Sequence, residues 1–312
     1  MRYREGGDLD TSSIQDRRGR GGGFGGRGVA VGGGGLGLVG LLVIVLVQVL
    51  GGGGGGTGGG TGGGAGLGAL SGGLGPGETA DNAALEQSCD DSGDANTSVE
   101  CAVVANVESI QDFWSQQLGP RYVPTDTVFF PGQVQTQCGG ATSGSGPFYC
   151  PADRLVYIDL SFFDTLRSQF GAEGGAFPNA YVIAHEYGHH VQNLLGTNQQ
   201  VTPGETGPTS GTVRLELQAD CYAGAWADHA TTVPDESGAP LIAEITQEDV
   251  DRALDTAARI GDDFIQENLG GGNVDQDAFT HGSSEQRQRW FLTGYQTGDP
   301  AQCDTFATDD LG

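Results

Sequence analysis

Ala184-His185-Glu186-Tyr187-Gly188-His189-His190 is the stretch from which the rest of the chain can be read. The segment around it starts a helix after Pro178, a residue suited to a first turn, and stops at Leu194-Leu195-Gly196, where glycine can take the left-handed cap. Residues four apart on a helix project from one face, so the imidazoles of His185 and His189 can hold one metal ion. Glu186 lies beside them with its carboxylate towards the open coordination position, which is the HExxH arrangement. His190 points off that face and His229 has no partner at helical spacing, so neither is assigned a role.

Two histidines do not fill a catalytic zinc site, which takes three protein ligands and keeps a position for water. The polar, glycine-rich stretch to Thr212 is followed by a helix over residues 213–230, containing Arg214-Leu215-Glu216-Leu217-Gln218-Ala219-Asp220. Glu216 and Asp220 are again four apart and face the same way. Glu216 can ligate the ion while Asp220 accepts a hydrogen bond from the outer nitrogen of a ligand histidine and fixes its tautomer. Taken alone the two carboxylates would read as a solvent-facing pair, but the upstream motif and the small run Ala223-Gly224-Ala225 argue for a helix packed closely against another.

Around this centre the pattern predicts a helix over 99–118 ended by Gly119-Pro120, strands at 127–130 and 154–160, and helices at 246–268 and 283–297. Thr246 with Asp249, and Ser283 with Gln286, are capping pairs for the last two. Strands precede helices, which makes the domain α+β with a mainly helical C-terminal part. It is expected to run from residue 82 to 312. Its six cysteines, an even number, argue for disulfides in an oxidising compartment, although six allow fifteen pairings. Local closure favours Cys89 with Cys101 and Cys138 with Cys150, leaving Cys221 for Cys303. A cysteine zinc site is the competing reading, but the chain has no CxxC pair.

The first quarter is different in kind. Residues 1–28 hold six arginines against four carboxylates, a net +2, so the rest carries −28 of the chain's −26. So acidic a body excludes nucleic acid as a partner, since phosphate binding needs clustered cations. Residues 29–50 are uncharged and end in a dense apolar run, long enough for a transmembrane helix across a core of about 30 Å. A cleavable signal peptide is the alternative, but no small-residue cleavage site follows closely. Residues 51–81 are glycine-rich and read as a flexible linker; a phosphate cradle there would need a lysine that the chain lacks. Arginines before the span and none after it until Arg121 predict a cytoplasmic basic tail at 1–28, a single pass, and an exported domain.

Over nearly its whole length the chain resembles a known family, the neutral zinc metallopeptidases of bacteria, the YpfJ-like group. The resemblance rests on Tyr181-Val182-Ile183-Ala184-His185-Glu186-Tyr187-Gly188-His189-His190-Val191-Gln192, on Leu215-Glu216-Leu217-Gln218-Ala219-Asp220-Cys221 and on Phe279-Thr280-His281-Gly282-Ser283-Ser284. Met1-Arg2-Tyr3-Arg4, the apolar span and Gly146-Pro147-Phe148-Tyr149-Cys150-Pro151-Ala152-Asp153 add to it. It implies a zincin-like fold, one zinc ion on His185, His189 and Glu216, Glu186 as catalytic base, and no particular substrate. The ExxxD after HExxH is similar to that of the gluzincin peptidases more widely.

Peptide hydrolysis also needs a donor for the oxyanion. His281, just ahead of a helix start in a Gly282-Ser283-Ser284 turn, is the candidate, with an ordinary loop histidine as the plain alternative. Tyr149 is a weaker candidate that reads better as core. The expectation is a membrane-tethered zinc endopeptidase acting on polypeptide. Two rivals stand beside it: a silent scaffold module holding a structural zinc, which would have no use for Glu186, and a metal-dependent cell-wall amidase.

Overall fold

The computed structural model describes residues 1–18 and 82–312. Its sheet is built from β2 (Ile14–Asp16), β3 (Thr127–Phe129), β7 (Leu155–Ile158) and β6 (Phe148–Cys150), in the order β2-β3-β7-β6. β2, β3 and β7 run parallel, and β6 is antiparallel to β7. The apolar run predicted as a strand at 154–160 is thus central β7, and Val156 and Ile158 are fully buried, as a strand covered on both faces requires. A hairpin of β4 (Gln133–Thr136) and β5 (Gly139–Thr142) lies outside this sheet, and Cys138–Cys150 ties it to β6.

The helix over Ala176–Leu195 packs on this sheet against β6 and β7, and it in turn packs against other helices. The helices are α1 (Ala83–Ser88), α2 (Val99–Leu118), α3 (Phe162–Ser168), α4 (Ala176–Leu195), α5 (Gly211–His229), α6 (Gln247–Arg259), α7 (Asp262–Asn268) and α8 (Ser284–Thr297). Ser98 caps α2 by accepting from the Cys101 amide, and Gly196 ends α4 in the left-handed conformation. Both capping boxes read from the sequence are formed, at Thr246/Asp249 and Ser283/Gln286. Small residues set the close crossings. Gly188 of α4 meets the Ala219 backbone of α5, and Gly224 of α5 and Gly294 of α8 face each other's backbones too closely for any side chain. The core between them holds Trp114, Trp226, Tyr187, Phe177 and Phe291, each at most 1 % exposed. The three disulfides are Cys89–Cys101, Cys138–Cys150 and Cys221–Cys303, the pairing expected from local closure.

Two boundaries differ from the sequence expectation. The single helix expected over 246–268 is broken at Ile260-Gly261 into α6 and α7. The cause is packing: a Cβ on Gly261 would sit 2.5 Å from the Ser284 amide nitrogen, so the chain can pass there only as glycine and turns as it does.

The second difference concerns the N-terminus, expected as a basic tail over 1–28 separate from a domain starting at 82. Residues 1–18 are instead part of the same fold. β1 (Arg2–Tyr3) pairs antiparallel with β8 (Ile242–Glu244), and β2 forms an outer strand of the main sheet. Tyr3 is 1 % exposed and its hydroxyl donates to Asn106 Oδ1 at 3.0 Å. Strands of two and three residues are too short to show an alternation, and their partners lie more than a hundred residues away, so charge was the only signal available. Among the described residues no helix is long and apolar enough to cross a membrane. The expected transmembrane helix at 29–50 and linker at 51–81 lie outside the described residues.

Candidate metal centre

α4 carries the two histidines one turn apart, and its crossing with α5 at Gly188 and Ala219 brings Glu216 against them. His185 Nε2 lies 3.1 Å from His189 Nε2 and 3.1 Å from Glu216 Oε2, and His189 Nε2 lies 3.5 Å from Glu216 Oε1. One donor atom from each of the three falls within 4.8 Å of the others, close enough for a single cation. The outer ring nitrogens are engaged elsewhere. His185 Nδ1 donates to Asp220 Oδ1 at 2.8 Å and His189 Nδ1 donates to the Gln192 side-chain oxygen at 2.9 Å, which turns both Nε2 atoms inward.

Asp220 is the anchor of this arrangement. It is fully buried and also accepts from Tyr181 Oη at 2.6 Å and from Arg287 of α8, Nε to Oδ2 at 2.9 Å and Nη2 to Oδ1 at 3.0 Å. Burial alone would raise its pKa, but Arg287 and His185 outweigh burial and hold it below the usual carboxylate range. Glu216 is likewise lowered, burial being outweighed by His189 and by the hydrogen bond from His185. Two buried carboxylates held ionised against one arginine require further positive charge. Burial would lower the His185 pKa, and Asp220 and Glu216 pull it up to about 10 instead; a divalent cation on the three inward donors meets the same demand. By donor type, distance and charge the site fits zinc.

Glu186, 8 % exposed, faces the same cavity, and desolvation raises its pKa to about 7, partly opposed by His185. The cavity has a volume of about 140 Å³ and opens on His185, Glu186, His189, Glu216 and His281. His281 does reach the site. Its Nδ1 lies 3.2 Å from Asp262 Oδ1, and Asp262 Oδ2 accepts the amides of Thr280, His281 and Gly282 at 2.7, 2.6 and 3.0 Å. Burial would lower the His281 pKa, but the Asp262 carboxylate raises it.

Tyr149 turns its hydroxyl away, to His190 Nδ1 at 3.0 Å and Asn193 Nδ2 at 2.9 Å. His190 completes that structural group by donating to the Val123 carbonyl at 2.7 Å, and His229 sits by the Gly298 carbonyl against Phe113. Sequence reasoning missed Arg287, Tyr181, Gln192 and Asp262. Only Arg287 carried a usable signal, a charged residue in the helix that follows the His281 turn.

Comparison with known proteins agrees with this geometry. The family described as "Putative neutral zinc metallopeptidase" matches residues 1–306. The uncharacterized protein Rv2575 of Mycobacterium tuberculosis is 49 % identical over 242 residues, covering 76 % of this chain and 82 % of its own length. The uncharacterized protein YpfJ of Escherichia coli K12 is 45 % identical over 204 residues, covering 63 % of this chain and 67 % of its own. No solved structure matches. The match across nearly the whole length, N-terminal segment included, places the chain in the neutral zinc metallopeptidase family, to which it belongs.

Proposed function

We propose that the protein is a zinc-dependent endopeptidase that hydrolyses peptide bonds of polypeptides outside the cytoplasm. The observation that carries this reading is the buried trio His185, His189 and Glu216 opening on a cavity shared with Glu186 and His281. Bound there, zinc supplies Lewis acidity, polarising a carbonyl and acidifying a water. The residues of the chain do the rest. Glu186, with a pKa of about 7, is poised to take a proton from water and to return it to the leaving amine. His281, held by Asp262, donates a hydrogen bond to the carbonyl oxygen as it gains negative charge. Arg287 and Tyr181 fix Asp220, which fixes the His185 ring.

Phe162, Phe170, Val182, Ile260 and Ile265 give the cavity mainly apolar walls, which suit side chains of a polypeptide better than the polar surface of cell-wall glycan. The ionisable Glu186 within the cavity speaks against a silent scaffold, because a structural zinc has no use for a base. Disulfides support export. Attachment to a membrane surface through the apolar run at 29–50 belongs to the same proposal. The test is hydrolysis of casein and of isolated cell wall by the full chain, with zinc content measured before and after a chelator. Casein cleavage that is lost with zinc and restored on its return is expected. Cleavage of cell wall alone, or casein cleavage indifferent to zinc, overturns the reading.

A further inference from the structure

Residues 18 and 82 flank the segment that contains the apolar run, and the fold holds both flanks at one place. Asn82 donates to the carbonyls of Ile14 and Thr11 at 2.5 and 3.4 Å, and its side-chain oxygen accepts the Asp16 amide at 3.0 Å. The chain therefore leaves the domain beside β2 and re-enters it beside β2. A segment whose two ends sit on one body crosses a membrane an even number of times or not at all. The single pass with a cytoplasmic N-terminus that the arginine distribution suggests is incompatible with this fold.

From this geometry we infer that residues 1–18 are a built-in part of the metallopeptidase domain and lie with it outside the cytoplasm. Three independent features carry the inference. The first is strand pairing: β2 covers the edge of β3, whose Thr127, Val128 and Phe129 are all fully buried, and β1 covers β8. Moving residues 1–18 across a bilayer would leave both edges with unpaired amides and carbonyls, one of them in the core. The second is side-chain burial, since Tyr3, Leu9, Thr11, Ile14 and Arg17 are all 9 % exposed or less. The third is charge. Arg2 pairs with Glu244, Arg4 with Asp235 and Arg18 with Glu100, each partner lying in the domain. Three of the arginines that read as cytoplasmic anchors, Arg2, Arg4 and Arg18, are thus matched, in the folded protein, to carboxylates of the acidic domain they pack on. The disulfides of that domain then fix the side for both parts.

The inference goes beyond the proposed peptidase activity and is tested without it. All six cysteines are paired, so a single added cysteine is the sole free thiol. Ser12→Cys, at an exposed position of the N-terminal segment, and Glu267→Cys, at an exposed position of the domain, are placed separately in the full chain and produced in bacteria. Intact spheroplasts are treated with a membrane-impermeant maleimide. Equal labelling of both before lysis is expected. Labelling of Glu267→Cys alone, with Ser12→Cys reacting only after lysis, overturns the inference, and so does labelling of both only after lysis.

A second measurement guards against loss of fold. Arg2→Cys with Glu244→Cys, partners across the β1–β8 ladder, is combined with a specific protease site inserted between Gly58 and Gly59. After oxidation and cleavage in membranes, the N-terminal fragment stays with the domain on a non-reducing gel if the inference holds. Release of that fragment without reductant refutes it.

Discussion

Gly294→Ala tests whether the metal centre depends on the backbone contact between α5 and α8. A methyl on Gly294 would lie 2.7 Å from the Ala225 nitrogen and 2.8 Å from the Cys221 carbonyl carbon, and the Cys221 carbonyl oxygen is nearer still. Carbon contacts settle at about 3.5–4.0 Å, so the helices must part by on the order of 1 Å. Backbone cannot move aside as a flexible side chain can, and overpacking of this kind costs about 1–3 kcal/mol. For a domain of this size that lowers Tm by about 2–4 °C per kcal/mol. The same parting acts on the site, because Arg287 sits two turns before Gly294 on α8 and Asp220 one turn before Gly224 on α5. Their Nε–Oδ2 hydrogen bond of 2.9 Å has little slack, and losing it loosens the hold on His185. Calorimetry of the zinc-loaded chain should show a lower Tm, and competition with a chelator should show weaker zinc binding, by about 10-fold or more as for other outer-sphere changes. Gln296→Ala, on the exposed side of the same helix, serves as the control. Gly294→Ala with the Tm and zinc affinity of the unaltered chain would falsify this account of the contact.

His189→Ala should remove stoichiometric zinc, since two remaining ligands compete poorly with a chelator, whereas Glu186→Gln should keep zinc and lose hydrolysis; metal analysis beside a casein assay separates them, and zinc retained in the first or turnover in the second defeats the assignment. Cys303→Ser opens a loop of sequence separation 82, which the chain-entropy estimate puts at about 4.5 kcal/mol, and it also frees the tail whose Cys303 carbonyl accepts from Gln218 on α5. Urea unfolding should register that loss, with part of it recovered in excess zinc; an unchanged midpoint counts against it. Burial raises the Glu108 pKa from 4.5 to about 7, so the native state binds the extra proton and stability falls as pH rises between those values. Glu108→Gln should therefore be more stable than the unaltered chain at pH 8 and lose that advantage near pH 4.5, and a constant difference across this range rejects the idea.

Sequence periodicity reached the parts of this protein whose signal is local. The helix bearing His185 and His189 and the helix bearing Glu216 and Asp220 are found within a residue or two at most boundaries, because a 3.6-residue repeat, a cap and a terminating glycine all lie within one window. The cysteine pairs closed over 12 residues were legible for the same reason. What escaped depends on distant partners. β1 and β2 are strands only because β8 and β3 lie beside them, and Arg287 becomes part of the site only when α8 crosses α5. The N-terminal arginines carried a charge signal that points to a membrane side, and nothing in the local pattern reveals that three of them have domain partners.

The break at Gly261 shows why one such miss falls at the site. An uninterrupted helix through 246–268 would satisfy the hydrophobic repeat, and Thr246 caps its start well. It would carry Asp262 onward along the axis of α6. Because Gly261 passes against the Ser284 backbone, the chain turns there, and Asp262 opens a new helix with its carboxylate aimed at residues 280–282. Three amides and the His281 ring converge on that one carboxylate, and Gly282 adopts φ 95°, a conformation glycine takes without strain. The side chains that could hold a metal ion, His185, His189 and Glu216, are fixed by two long helices that cross on small residues. His281 is on a loop and has no helix to fix it, so the turn at Gly261 supplies its support. Helix periodicity is given up at one residue, and the His281 imidazole that faces the cavity is held in place by the result.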